Sequence, residues 1–269
     1  MYAIDLNKKR IIWAKNFGIP FRSNIKIVGK QIFIASQDNV IFSVNVENGD
    51  INWQVSSSIT FLKSDFINNF SIDEINNNLF FINTSGQLYS INYASQKINW
   101  VLNFKESFSS SDTDLFLSQP IVIKNNILVV STGNAIISYN TLNGTRNWDF
   151  PSNSILKPVI TKNYTYIFSK NNLLICIENI TGEVLWSKNI YSSLSNKIQS
   201  KIDKFVELKI ANSKLILFSK SGYFLSLNHN SGNVEYIKKI SKNGINSEIA
   251  FTNNNMFLID RNNKLLEFN

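Results

Sequence analysis

The chain repeats one short motif six times: an alternating apolar segment, a polar residue, a turn and then an aromatic residue. In every copy the polar residue lies eight positions before the aromatic one. Internal repeats constrain architecture strongly, because each copy has to form the same structural unit. The aromatic residues are Trp13, Trp53, Trp100, Trp148, Trp186 and Tyr236, which use all five tryptophans, and the polar residues are Asp5, Asn45, Asn92, Asn140, Glu178 and Asn228.

Successive polar residues are 38 to 50 positions apart, and Asn269 falls where a seventh would lie. Each interval contains four short strand-like segments; between Trp148 and Trp186 they are LKPVIT, TYIFSK, LLICIE and EVLWSKNI. The segment LLICIE is apolar on both faces, so its sheet has to be covered on both sides. A four-stranded unit of this length that needs two neighbours is typical of a β-propeller blade. We therefore predict an all-β, single-domain β-propeller over 1–269, with a partial final blade at 245–269.

The turn before the aromatic residue carries Asn-Gly, Thr-Gly or Ser-Gly at 48–49, 181–182 and 231–232. Glycine permits the positive φ that tight turns require. The first and third motifs have NKKR and ASQK instead, and we expect their turns to adopt another conformation. We predict that the tryptophans pack between adjacent blades; binding of an aromatic ligand is the alternative.

Composition narrows the functional classes. The net charge is +8, but the basic residues are scattered, which favours a solvated surface over a nucleic-acid site. The single cysteine, Cys176, excludes an intramolecular disulfide and a multi-cysteine metal centre, and the single histidine, His229, is predicted in a surface turn. No apolar stretch approaches the length of a membrane span, so no transmembrane segment is predicted.

The order of strand, Asx, turn, Thr-Gly or Asn-Gly and Trp resembles the PQQ-type propeller repeat of the quinoprotein superfamily. Within it the chain is most similar to the BamB family of outer-membrane assembly lipoproteins. The resemblance rests also on the C-terminal run from SGYFLSLNHNSGNVEY to NKLLEFN and on the acidic loop SSSDTDLFLSQPIVI. It implies a non-catalytic scaffold of the β-barrel assembly machinery at the periplasmic face of the outer membrane.

The resemblance also implies a site. In the family, two neighbouring loops contact the periplasmic domains of BamA through an Asp-x-Asp pair and an apolar residue beside an Arg. These features fall on Asp112 and Asp114, and on Leu62 and Lys63. Lys63 keeps the charge of the arginine but lacks its planar fork. Unfolded outer-membrane proteins are a second implied partner, and an ordinary solvated turn is the alternative for the two aspartates.

Two other functional classes share the repeat. A PQQ-dependent dehydrogenase would need Ca²⁺ held by oxygen ligands and a catalytic Asp, and many such enzymes stack a disulfide of adjacent cysteines on the quinone. One cysteine cannot form that pair, so we predict no catalytic residues, no cofactor, no metal and no enzymatic activity. A propeller interaction or sensor domain with a different partner stays open.

Family members resemble eight-bladed rings, whereas six repeat periods lie between the first and last motifs. We therefore expect the sequence to represent a truncated ring without signal peptide, lipobox cysteine and at least the first blade. The alternative is a self-contained ring of six or seven blades in which IIWAKNF joins the sheet of LLEFN.

Overall fold

The computed structural model describes residues 1–57, 70–104, 116, 118–252 and 255–268. The chain divides into two compact units. One consists of Met1–Gly133 and Ser138–Arg146, and the other of Asn134–Ile137 and Asn147–Asn269. The assignment of 1–269 to a single domain stays a prediction.

Antiparallel strands make up nearly all the regular structure. The first sheets along the chain contain β1 (Tyr2–Asp5) and β2 (Arg10–Ala14); β3 (Lys26–Val28), β4 (Gln31–Ala35), β5 (Val40–Asn45) and β6 (Ile51–Ser56); β7 (Phe70–Asp73), β8 (Asn78–Ile82), β9 (Gln87–Asn92) and β10 (Lys97–Asn103); and β11 (Val122–Lys124), β12 (Ile127–Ser131), β13 (Ile136–Asn140) and β14 (Arg146–Phe150).

The remaining sheets contain β15 (Val159–Ile160), β16 (Tyr164–Phe168), β17 (Leu173–Glu178) and β18 (Val184–Asn189); β19 (Phe205–Ala211), β20 (Lys214–Ser219), β21 (Tyr223–Asn228) and β22 (Val234–Lys239); and β23 (Ala250–Thr252), β24 (Asn255–Ile259) and β25 (Leu265–Phe268). Within the described ranges, helix is confined to a 3₁₀ turn at Tyr191–Ser193 and to α1 (Asn196–Gln199).

Each four-stranded sheet is a simple meander in which consecutive strands are hydrogen-bonded neighbours. The prediction of an all-β fold built from four-stranded antiparallel units is confirmed. In such a meander the turn between the third and fourth strands lies at one end of the sheet. The turn between the second and third strands lies at the other end, together with the connection to the next sheet.

Burial explains why the central strands are apolar on both faces. All five residues of β8 are buried, and so are the four central residues of β5, β9 and β17. In the first unit Phe33 and Trp53 of one sheet form a cluster with Phe70, Leu79 and Phe81 of the next. Within each unit, neighbouring sheets therefore pack face to face.

Most motifs also share a β-bulge. Trp53 pairs with Ser43, but Val44 pairs with Ile51, so Asn52 is an extra residue in the fourth strand. The same shift precedes Trp13, Trp100, Trp186 and Tyr236. A bulge bends the strand and redirects the side chain that follows it. The bulge thus accompanies the aromatic residue through the repeats.

Candidate functional site

The indole of each of three motifs is joined to the next motif along the chain. Trp13 Nε1 donates a 2.8 Å hydrogen bond to the carbonyl of Val46, and Trp148 Nε1 donates a 2.9 Å bond to that of Asn179. Trp100 Nε1 donates a 3.2 Å hydrogen bond to the carbonyl of Thr141. In all three cases the acceptor directly follows the polar residue of the next motif. The indoles therefore pack between consecutive sheets with their polar edge satisfied.

The turn glycines lie against these indoles. Gly49 has φ +75°, and a Cβ there would lie 2.6 Å from Cε3 of Trp13. At Gly182 and Gly232 the distances to atoms of Trp148 and Trp186 would each be 2.5 Å. A side chain at these positions would collide with the ring, so the sequence requires glycine for close approach as well as for backbone conformation.

The turns of the first and third motifs keep the left-handed position of the glycine-containing turns but differ from them in hydrogen bonding. Lys9 and Gln96 occupy the positions of the turn glycines, and both keep the left-handed conformation, with φ of 50° and 62°. Asp5 Oδ1 accepts hydrogen bonds from the N–H groups of Asn7 and Lys8, and Asn92 Oδ1 accepts them from Ala94 and Ser95. These Asx contacts hold the turn and offset the strain of a non-glycine residue.

A second repeated turn lies at the opposite end of the sheets, between the second and third strands. A small polar residue opens it, and its carbonyl accepts from the N–H three residues later, at distances of 3.0 to 3.1 Å. That later residue has positive φ. The pairs are Ser36 with Asn39, Asn83 with Gly86, Ser169 with Asn172, Ser219 with Gly222 and Asp260 with Asn263.

This second turn holds the chain where it leaves a sheet. The carbonyl of Gly86 accepts a 2.9 Å bond from the N–H of Phe104, which directly follows β10. The carbonyl of Asn39 accepts a 3.3 Å bond from the N–H of Ser57, which directly follows β6. The connections between sheets are therefore tied to the turns beside them.

One such turn, Asn83–Gly86, contacts the ends of two connections. Asn83 Nδ2 donates a 3.2 Å bond to the hydroxyl of Ser57, where segment 58–69 begins. The carbonyl of Thr84 accepts a 3.1 Å bond from the N–H of Phe116, just after segment 105–115. The Phe116 ring stacks on Phe104 with centroids 5.6 Å apart and an interplanar angle of 13°.

The turn is itself fixed by buried polar contacts. Asn39 Nδ2 donates to the Thr84 hydroxyl at 2.8 Å, and the Thr84 N–H donates to Asn39 Oδ1 at 3.0 Å. Both residues are buried, and buried reciprocal hydrogen bonds of this kind rigidify a site. A Cβ at Gly86 would lie 2.8 Å from the Phe116 ring, so glycine is needed for the ring to approach.

The sequence-predicted contact residues lie in the two connections. Leu62 and Lys63 belong to segment 58–69, and Asp112 and Asp114 to segment 105–115, all outside the described residues. The anchors Ser57, Phe104 and Phe116 were missed by sequence reasoning. The spacing of a small polar residue three positions before Asn or Gly, between the second and third strands of each repeat, marks the turn Asn83–Gly86 but not these three anchors.

Cys176 and Asp260 are two ionisable groups whose pKa is shifted by the residues around them. Cys176 is buried in β17, and burial raises the pKa of its thiol to about 11. The pKa of Asp260 is lowered, chiefly because Asn243 Nδ2 donates to its carboxylate at 2.8 Å and also because the N–H of Lys264 does. In the part of the chain that the structure describes, no group of three or more His, Cys, Asp or Glu side chains could hold a metal ion. Nor does that part contain a helix long and apolar enough to cross a membrane.

Comparison with known proteins identifies the family. The model of the family described as outer membrane protein assembly factor BamB matches residues 1–188 and, in an overlapping match, 71–269. A crystal structure of BamB from Moraxella catarrhalis superposes with a TM-score of 0.78 over 99% of this chain and 77% of that chain, at 13% sequence identity. No curated protein matches the sequence. The family match covers the whole chain and the superposition shows the propeller fold, so the chain belongs to the BamB family of β-propeller proteins.

Proposed function

We propose that the chain is a non-catalytic scaffold of the outer-membrane β-barrel assembly machinery. It binds the periplasmic domains of a BamA-like protein at the periplasmic face of the outer membrane, and unfolded outer-membrane proteins are a second class of partner. The membership in the BamB family supports this function. The contact residues are Leu62 and Lys63 in one connection and Asp112 and Asp114 in the other.

The observation that carries the proposal is the shared anchoring of the two connections. Ser57, Phe104 and Phe116 are all hydrogen-bonded or packed to the turn Asn83–Gly86. The described residues that flank segments 58–69 and 105–115 therefore lie beside the same turn. A partner that engages both segments at once loses less conformational entropy on binding than one that engages two independent loops.

The chemistry of the four residues suits a protein partner. Leu62 supplies an apolar anchor, while Lys63, Asp112 and Asp114 supply charges of both signs around it. An apolar centre with a charged rim is the usual arrangement of a protein-binding surface. The aspartates would pair with basic side chains of the partner and raise its association rate.

The test is the double variant Asp112→Arg with Asp114→Arg, measured by calorimetry against the isolated periplasmic domains of the BamA-like partner. Charge reversal should abolish measurable binding. The matched control is Glu47→Arg with Asp50→Arg, which makes the same charge change at a turn on the opposite end of a sheet and breaks exposed ion pairs with Lys30 and Lys15. Binding by the loop variant at the unaltered affinity would refute the site.

A further inference from the structure

Basic residues that are scattered along the sequence are gathered at one end of the sheets in the second unit. This is the end that carries the turns between second and third strands and the connections between sheets. Five such segments, 169–172, 190–204, 220–222, 240–249 and 260–264, together form what we call the basic end. Their basic side chains are Lys170, Lys197, Lys201, Lys204, Lys220, Lys242, Arg261 and Lys264, and their acidic ones are Asp203, Glu248 and Asp260.

Hydrogen bonds join the five segments into one continuous surface. The first two are joined where the N–H of Ile190 donates to the carbonyl of Asn172 at 3.1 Å. The other joints meet at Lys220, whose N–H donates to the carbonyl of Lys204 at 2.9 Å. The carbonyl of Lys220 accepts a 3.0 Å bond from the N–H of Ile245.

The last turn belongs to the same surface. Arg261 Nη2 donates a 3.2 Å bond to the carbonyl of Lys220, so segment 260–264 lies against segment 220–222. The ammonium and guanidinium groups of the basic end are therefore carried by neighbouring segments with fixed backbone contacts.

The acidic side chains of the basic end are mostly occupied by the protein itself. Asp260 is 2% exposed and accepts a 2.8 Å bond from Asn243. Asp203 accepts a 2.7 Å bond from the N–H of Ser221 and lies 3.7 Å from Arg261. None of the seven lysines forms an ion pair with a described carboxylate, and six of the seven are exposed. The charge that this surface presents to solvent is therefore strongly positive.

The apolar side chains of the basic end point inward, which disfavours a protein partner. The isoleucines and the leucine of segments 190–204 and 240–249 are buried or half-buried in the core clusters. A protein interface usually has an apolar centre within a charged rim, and the described residues of these segments offer only the charges.

The same segments lack the elements that read nucleic acid. Their one aromatic residue, Tyr191, packs on Phe205 with ring centroids 5.4 Å apart and donates its hydroxyl proton to the carbonyl of Asp203, so it is not a platform for stacked bases. Helix α1 has four residues, which is too short to lie along a major groove.

We propose that the basic end binds the surface of an anionic phospholipid bilayer. A bilayer presents many phosphates over one surface, so it can meet lysines on all five segments without an apolar centre. Lysine ammonium groups act as point charges that need no fixed geometry, which suits a mobile layer of headgroups. The basic end lies outside segments 58–69 and 105–115, so failure of this proposal would leave the proposed scaffold function untouched.

The first test is co-sedimentation of the full chain with phosphatidylcholine vesicles that contain about 30% phosphatidylglycerol. We expect saturable binding at about 0.1 M NaCl and its loss at about 0.5 M, because salt screens the attraction and no apolar side chain of the basic end inserts into the bilayer. Vesicles of phosphatidylcholine alone should bind at least about tenfold more weakly. Equal binding to both kinds of vesicle would overturn the proposal.

A pair of charge-matched variants locates the surface. Glutamine at four exposed positions of the basic end should weaken binding by at least about tenfold with the thermal unfolding curve unchanged; the changes are Lys197→Gln, Lys201→Gln, Lys204→Gln and Lys242→Gln. The control removes the same charge at exposed positions on the opposite end of their sheets and should keep the parent affinity; the changes are Lys8→Gln, Lys9→Gln, Lys97→Gln and Lys162→Gln. Equal losses in the two variants would overturn the proposal, since net charge alone would then explain binding. Tighter binding to a DNA duplex of about 20 base pairs, at equal phosphate concentration, would also overturn it.

A fluorescence measurement on the folded chain tests the orientation independently. Cys176 is buried, so one introduced cysteine can be labelled selectively. Ser200→Cys places the dye in the basic end, and Asn230→Cys places it in a glycine-containing turn at the opposite end of a sheet in the same unit; both positions are exposed. A quencher attached to the lipid headgroup should quench the dye at position 200 and leave the dye at position 230 unchanged. Equal quenching at the two positions would contradict binding through the basic end.

Discussion

The glycine of the turn between the third and fourth strands is required for two separable reasons. Positive φ alone disfavours a side chain, and contact with an indole disfavours it further. Gly18 meets the first condition only: its φ is +69°, and a Cβ at this position would have no described atom within 4 Å. Gly182 meets both conditions. The comparison of these two positions measures how much the indole contact constrains the repeat.

Alanine at Gly182 should therefore destabilise the protein more than alanine at Gly18. Left-handed strain costs about 1 kcal/mol at either position. At Gly182 the collision with Trp148 adds about 1–3 kcal/mol of overpacking. Urea denaturation followed by tryptophan fluorescence measures both variants, and equal losses in the free energy of unfolding would show that the contact is unimportant.

The single thiol reports on opening of the second unit. Cys176 is 1% exposed, and burial holds the pKa of its thiol at about 11, so the group stays protonated at neutral pH. Since the thiolate is the reactive species, a disulfide reagent should modify Cys176 at about pH 8 only as fast as the sheet of β15–β18 opens. Modification of the folded protein at the rate of an exposed thiol would contradict this.

At the level of elements, the turn between the second and third strands supports the connections. Phe116 stacks on Phe104 and packs on Gly86, so it fixes the end of segment 105–115. Phe116→Ala should leave the sheets folded and weaken binding of the BamA-like domains by about three- to tenfold, because the freed segment must be ordered on binding. Calorimetry measures the loss, with the exposed Tyr2→Ala as control; an unchanged affinity would mean that the stack does not support the site.

The last of these turns is sensitive to acid. Hydrogen bonds from Asn243, Lys264 and Asn262 lower the pKa of Asp260 below its unfolded value. A depressed carboxyl pKa stabilises the fold above the unfolded pKa of about 4, and this contribution is lost as the pH falls through the folded pKa. Asp260→Asn retains a side-chain oxygen acceptor, like Asn83 at the same position of its turn, but removes the titratable carboxyl group. Hydrogen exchange of β24 should therefore depend less on pH between about 5 and 2 in the variant. An identical pH dependence would exclude Asp260 as the cause.

The strands could be predicted from the sequence because alternation and turn residues coincide in every repeat. TYIFSK and LLICIE correspond to β16 and β17 within a residue or two. The first strand of that sheet, predicted as LKPVIT, is only Val159–Ile160, since Pro158 has no N–H for the ladder. The left-handed turns at Lys9 and Gln96 were not predictable from a search for glycine, because Asx hydrogen bonds stabilise them instead.

The candidate site was predictable only in part. Resemblance to the family points to two loops, but the residues that contact the described ends of these loops, Asn39, Asn83 and Thr84, look like ordinary turn residues in the sequence. Their importance arises from contacts 26 and 45 residues apart along the chain. Such long-range polar contacts leave no local pattern, whereas the periodic burial of a strand does.

At the level of the whole molecule, the proposed function assigns stability and recognition to different parts of the repeat. Indoles and glycines join consecutive sheets at one end of each sheet, while the connections at the other end vary in length and sequence. A scaffold of this kind can change its loops without disturbing its core. Under the proposed function, partner contacts should therefore concentrate in segments 58–69 and 105–115 and avoid the turns that carry glycine.

Site-specific photo-crosslinking tests this requirement most directly. A photoreactive amino acid is placed at Leu62 or Asp114 and, as controls, at the exposed Leu142 or Ile180 in turns at the opposite end of their sheets. We expect crosslinks to the BamA-like protein from Leu62 and Asp114 and none from Leu142 and Ile180. Crosslinks from the two controls without any from Leu62 or Asp114 would contradict it.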